Sequence, residues 1–148
     1  MTFSSRRYDN VGFRRSLEAL ARELGVDSAV HFLGYREDVP PLIGALDLLL
    51  LPSWDEPFGL VVAEAMAVGT PVLVTDRGGV GEYVEDRVNG RLLPPHDPAA
   101  WAAAAIELLG DPDALDRMGR ESIRAAVEFN DERYCREMLE AYADAGRP

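Results

Sequence analysis

The sequence is poor in the residues that metal and disulfide chemistry need. Among 148 residues it has one cysteine, two histidines and no lysine. A lone Cys135 excludes an intrachain disulfide. With only His31 and His96 beside it, no tetrahedral zinc set can be assembled. Cys135, in Arg133-Tyr134-Cys135-Arg136-Glu137, reads as a small packing residue on a helix. Long apolar runs are missing too. The run over residues 46–52 is interrupted by Asp47 and falls far short of the roughly 20 residues a membrane span requires. Residues 1–10 carry no apolar core of signal-peptide length, so the chain reads as soluble and cytoplasmic, with no transmembrane segment. Cations are scarce: 15 basic residues, all arginine, stand against 26 acidic ones, for a net charge of −11. This argues against nucleic acid and anionic membranes, which select for clustered basic residues. An anionic ligand must then be held by backbone dipoles or a few specific cations.

What is present is an ordinary globular composition, 47% hydrophobic and 28% charged, with the length of one domain. Apolar residues recur at helical spacing over 11–24 and stop at Gly25, a natural position just past a helix. Residues 30–34 (Val-His-Phe-Leu-Gly) read as a short strand. Residues 38–46 read as a short helix with Pro40 and Pro41 in its first turn. The unalternating run 48–51 predicts a strand buried on both faces, as in a parallel sheet. A helix over 59–68 and a second buried strand over 71–75 follow. Then come a glycine loop over 78–81, a short helix over 82–85, a turn at Asn89-Gly90 and a strand over 91–93. Asp97-Pro98 and Asp111-Pro112 each announce a helix, and Asn130 caps a last one over 132–143. Short strands alternating with helices predict an α/β domain with a Rossmann-like, mostly parallel sheet.

The informative segment is 52–64, which leaves one buried strand and opens a helix. In open α/β sheets ligands gather at the carboxyl ends of the strands. Gly59 at the helix start lets a ligand approach the backbone. It leaves the amides of Leu60, Val61 and Val62 as donors at the positive end of the helix dipole, an anion site without a basic side chain. Glu56 before the helix and Glu64 one turn inside it flank this mouth, since helical side chains lean toward the N-terminus. Carboxylates repel phosphate, so their task would be to accept hydrogen bonds from the hydroxyls of a sugar or ribose. A surface acid and a salt-bridged acid are the bland alternative. The second glycine loop, Gly78-Gly79-Val80-Gly81, follows the next strand on the same sheet edge and would line the sugar end; a turn needing positive φ would also explain its glycines.

These residues resemble the retaining GT-B glycosyltransferases of group 1, or family 4. Glu56-Pro57-Phe58-Gly59 with Glu64 looks like that family's E-x7-E motif. Residues 64–72 (EAMAVGTPV) look like its E-A-M-A-x-G-x-P-V signature. Gly78-Gly79, Glu82 and Asn89-Gly90 resemble its downstream elements, and residues 30–34 resemble its V-x-F-L-G strand. The resemblance implies the C-terminal, nucleotide-sugar-binding half of a GT-B fold, with a UDP-, GDP- or ADP-sugar as donor and no bound metal or cofactor. By implication Glu56 contacts donor-sugar hydroxyls and is the catalytic residue of the set. The backbone of Phe58, Gly59, Leu60 and Val61 holds the distal phosphate, and Glu64 the ribose. Gly34 and Tyr35 lie beside the base, and Gly78 and Gly79 approach the sugar and pyrophosphate. The triplet Asp111-Pro112-Asp113 is better explained by helix capping than by a metal.

The family's acceptor domain has no counterpart, nor do its first donor-domain strands with their Gly-Arg motif and following lysine. On this reading 1–148 is a single partial domain, with 1–10 irregular, lacking the first strands of the domain. Its open sheet edges would self-associate or pair with a separately encoded N-terminal half. The alternatives are a non-catalytic nucleotide-sugar or phosphate-binding module, one half of a split transferase, or a plain α/β interaction domain.

Overall fold

The computed structural model describes residues 11–128, which fall into two compact units divided between Glu37 and Asp38. In the first, helix α1 (Val11–Glu23) ends as its sequence requires. Gly25 takes φ 69°, its amide bonds the Arg22 carbonyl at 3.0 Å, and the Val26 amide reaches back to Ala21 at 2.9 Å. This pair of bonds satisfies carbonyls the helix would leave open. Arg14 pairs with Glu18 at 2.9 Å and stands 5.6 Å over the Phe32 ring. Residues 30–34 correct the expectation of a strand. Val30 is extended (φ −107°, ψ 119°), but the segment joins no sheet among the described residues. β propensity gives extension; a strand also needs a neighbour's amides and carbonyls.

The second unit runs α2 (Val39–Gly44), β1 (Leu49–Leu51), α3 (Leu60–Ala67), β2 (Val72–Thr75), β3 (Arg91–Leu93), α4 (Pro98–Leu109) and α5 (Pro112–Val127). The strands form one parallel sheet in the order β1-β2-β3, with Leu49 opposite Val72 and Leu73 opposite Arg91. Every residue of β2 is buried, as its unalternating sequence predicts. Val72 and Val74 pack with Ile43 of α2 and with Val62, Ala65 and Met66 of α3. Leu73 belongs to the other cluster, with Trp101, Ala104 and Leu108 of α4 and Met118 of α5. Each large apolar side chain buried this way contributes about 1.5–3 kcal/mol.

Strand β1 departs from expectation. It is the outer strand of the described sheet, and Leu50 remains 45% exposed. Leu50 opens onto an apolar groove of about 390 Å³ shared with Pro52, Pro98, Trp101 and Ala105. An apolar run qualifies a strand for burial on both faces, but only a second neighbour delivers it. The short helix expected at 82–85 is also displaced, since the chain turns as a 3-10 helix over Gly79–Glu82. The glycines close against the backbone of Glu56 and Pro57 and begin the turn early.

The helix starts follow the sequence closely. Asp97 accepts from the Ala100 amide and Asp111 from the Ala114 amide, both at 3.0 Å. Capping therefore accounts for the first acid of the Asp111-Pro112-Asp113 triplet. Asn130, the helix over 132–143 and Cys135 lie outside the described residues.

Candidate functional site

Three loops leave the carboxyl edge of the sheet, and hydrogen bonds join them. The loop after β1 continues the parallel ladder beyond the strand ends. The Glu56 amide donates to the Arg77 carbonyl at 3.3 Å, and the Gly79 amide to the Glu56 carbonyl at 2.9 Å. The Asp76 amide donates to Leu93 at the end of β3 at 2.8 Å. Trp54 from the first loop meets His96 from the third edge-on, with ring centroids 3.6 Å apart.

Close approach, more than turn geometry, explains the paired glycines. A Cβ on Gly78 would stand 2.2 Å from the Glu56 carbonyl oxygen, and one on Gly79 2.2 Å from that of Pro57. Gly78 also has φ 88°, whereas Gly79 is not among the positive-φ glycines. The structure thus brings the Glu56 loop and the Gly78-Gly79 loop into backbone contact.

At the mouth of α3, Gly59 takes a left-handed conformation (φ 73°, ψ 60°). A side chain there would crowd Glu56, Val62 and the Tyr83 hydroxyl, each 3.2 Å from its Cβ. One expected donor is lost, because the Val62 amide bonds the Gly59 carbonyl at 2.8 Å in a tight first turn. The amides of Gly59, Leu60 and Val61 make no hydrogen bond among the described residues, and Leu60 is 70% exposed. The mouth therefore presents unpaired donors where the helix dipole is positive.

The two acids differ in setting. Glu56 is half-buried and accepts from the Ser53 hydroxyl at 3.0 Å. Glu64 is exposed on α3 and has no side-chain partner among the described residues. Gly34 (φ 69°) and Tyr35, 84% exposed, belong to the first unit.

Sequence reasoning missed Tyr83. Its ring is buried and its centroid lies 5.5 Å from that of Phe58. Its hydroxyl donates to the Phe58 carbonyl and lies 3.2 Å from the Gly59 carbonyl oxygen. Burial, and then the negative charge of Glu56, push this hydroxyl up to about 12. The available signal was a tyrosine directly after a glycine loop, since a buried tyrosine needs a partner for its polar tip.

Comparison with known proteins places the chain in a family. The family described as "Glycosyl transferases group 1" matches residues 10–125. The chain is 40% identical over 132 residues to a D-inositol 3-phosphate glycosyltransferase of Corynebacterium kroppenstedtii, covering 88% of this chain and 29% of the relative. Among solved structures it resembles HepE of Anabaena in complex with UDP. The TM-score is 0.86 at 29% identity, over 93% of this chain and 38% of that one. It also resembles sucrose-phosphate synthase of Thermosynechococcus elongatus. There the TM-score is 0.81 at 34% identity, over 90% of this chain and 34% of that one. The chain spans about 29% of the length of the curated relative it matches. Its parallel sheet and flanking helices have the architecture of the C-terminal half of GT-B enzymes, and the chain belongs to the group 1 glycosyltransferases.

Proposed function

We propose that this chain holds the donor, a nucleotide-activated sugar, for a retaining glycosyl transfer that needs no metal. The carrying observation is the mouth of α3, where the amides of buried Gly59, exposed Leu60 and partly exposed Val61 have no hydrogen-bond partner among the described residues and stand beside the Glu56 loop. A phosphate there gains backbone hydrogen bonds and the favourable end of the dipole. Phe58 and Gly59 shape the cradle. Glu56 accepts hydroxyls of the transferred sugar, and Glu64 those of the ribose. Gly78 and Gly79 bound the sugar and pyrophosphate side. The structures of HepE with UDP and with UDP-glucose support this ligand class.

A companion reading concerns the sheet. The position of β1 at the edge of the described sheet supports completion by a separately encoded N-terminal half or by a second copy. Transfer itself would then require that partner, and a cytoplasmic setting goes with the same reading. No helix among the described residues is long and apolar enough to cross a membrane.

Calorimetric titration with UDP, GDP, ADP and inorganic phosphate tests the donor site. Glu64→Ala should weaken the nucleoside diphosphates about 10-fold or more, the scale of a charge-assisted hydrogen bond. Inorganic phosphate, which the Glu64 carboxylate repels, should bind no more weakly than before. Equal weakening of both would remove Glu64 from the ribose role.

A further inference from the structure

We propose that Tyr83 is the positioning residue of this mouth. Its hydroxyl locks the peptide between Phe58 and Gly59 so that the Gly59 amide faces the ligand beside those of Leu60 and Val61. The inference rests on the phosphate-binding reading above.

In a trans peptide the carbonyl and the amide point in opposite directions. The Phe58 carbonyl takes the Tyr83 hydroxyl proton and no other donor among the described residues. The Gly59 amide in the same plane must then point away from Tyr83. The next carbonyl, that of Gly59, is already fixed by the amides of Val62 at 2.8 Å and Ala63 at 3.2 Å. Only the plane before Gly59 therefore depends on the tyrosine.

That plane needs a lock. Rotating it by half a turn would carry Gly59 from φ 73° to a negative φ, which glycine accepts as readily. The flipped peptide would put a carbonyl oxygen where the proposed phosphate sits. A stiffer residue there is strained at φ 73°, and its Cβ would press on side-chain atoms of Glu56, Val62 and Tyr83 at 3.2 Å. The hydroxyl also remains a donor through the neutral range, since burial and Glu56 hold its proton. Tyr83 is held in turn: its carbonyl accepts from the Asn89 side chain at 3.0 Å, and the Asn89 carbonyl accepts from Ser122 of α5 at 2.6 Å.

The experiment compares wild type with Tyr83→Phe in two ways. In calorimetry, Tyr83→Phe should weaken inorganic phosphate and UDP by the same factor, roughly 3- to 10-fold. Glu64→Ala weakens UDP but not inorganic phosphate, so a common factor of weakening separates positioning from ribose contact. In amide NMR of the ligand-free chain, the Gly59 and Leu60 resonances should broaden or double, while those of α4 stay fixed. Unchanged phosphate affinity with unchanged Gly59 and Leu60 resonances overturns the proposal. Wild type that binds neither ligand overturns the phosphate-binding reading, and the amide spectrum then decides the role of Tyr83 alone. If Tyr83→Phe does not fold, the wild-type spectrum decides: a nuclear Overhauser contact between a Gly59 α-proton and the Tyr83 ring supports the lock, and its absence sinks it.

Discussion

Alanine at Gly79 isolates the contact between the two site loops. Its Cβ would lie 2.2 Å from the Pro57 carbonyl oxygen, so that oxygen must retreat by roughly 0.8 Å to reach 3.0 Å, the nearest approach real Cβ atoms make. The Gly79 amide bonds the adjacent Glu56 carbonyl at 2.9 Å, and a displacement of that size stretches this bond past its useful range. Losing it costs about 1 kcal/mol, and the overpacking costs about 1–3 kcal/mol. The expected destabilisation is therefore about 2–4 kcal/mol. Gly78→Ala meets the Glu56 carbonyl oxygen at 2.2 Å and also needs a side chain at φ 88°, ψ −157°. That backbone region adds about 1–3 kcal/mol. Gly81 meets nothing within 4 Å, so Gly81→Ala should stay within about 0.5 kcal/mol of wild type. Urea unfolding followed by far-ultraviolet circular dichroism, with the slopes compared, ranks the three. Equal midpoints for Gly79→Ala and Gly81→Ala would refute the close approach. Equal midpoints for Gly78→Ala and Gly79→Ala would refute the separate dihedral cost.

The raised Tyr83 hydroxyl makes stability depend on alkaline pH. Folded, it keeps its proton up to about 12, whereas the unfolded side chain loses it near 10.0. The native state binds the extra proton between those values, so this stabilisation is complete below pH 10 and declines as pH climbs toward 12. The gap in urea midpoint between wild type and Tyr83→Phe should shrink from about pH 9 to about pH 11; a constant gap would contradict it. Asn89→Ala should cost about 2–4 kcal/mol, because it leaves the Glu85 amide and the Tyr83 carbonyl without the side chain they bond at 2.7 and 3.0 Å. Unfolding within about 0.5 kcal/mol of wild type would show that water replaces both bonds.

Features encoded within a few residues were legible in the sequence. Asp97-Pro98 and Asp111-Pro112 start helices because the cap and the pre-set proline act on the next turn. Gly25 ends α1 because glycine accepts the left-handed turn. What depends on distant partners was not. Residues 48–51 and 71–75 are apolar runs of the same kind, yet only the middle strand is wholly buried. Residues 30–34 carry strand-forming residues but join no ladder among the described residues. At the site, the spacing of Glu56, Gly59 and Glu64 suggested the helix mouth, but it offered the Val62 amide as a donor. The tight first turn takes that amide back. Tyr83 was invisible because the carbonyl it bonds lies 25 residues upstream. The glycine pair announced a turn, while the backbone pressed against it comes from the other loop.

The charges around the mouth say what kind of anion suits it. The helix end offers a phosphate about 0.3–1 kcal/mol, up to ~2 when partly buried. A carboxylate about 6 Å away, at an effective dielectric near 20, opposes it by about 3 kcal/mol. In the proposed site Glu56 and Glu64 would therefore offset the dipole, and Arg77, the cation of the second loop, is 68% exposed and already beside Asp76 at 3.4 Å. Bare phosphate should gain little from such a place. A ligand that brings hydroxyls changes the balance, because each hydrogen bond to an acid returns about 1.5–3 kcal/mol. In the proposed site the acids thus act as discriminators: they turn away simple anions and admit a diphosphate whose neighbouring diols satisfy them. An acidic chain without lysine can hold a doubly charged ligand on those terms, provided the amides stay aimed. That requirement falls on the backbone between Phe58 and Gly59, and so on the hydroxyl of Tyr83.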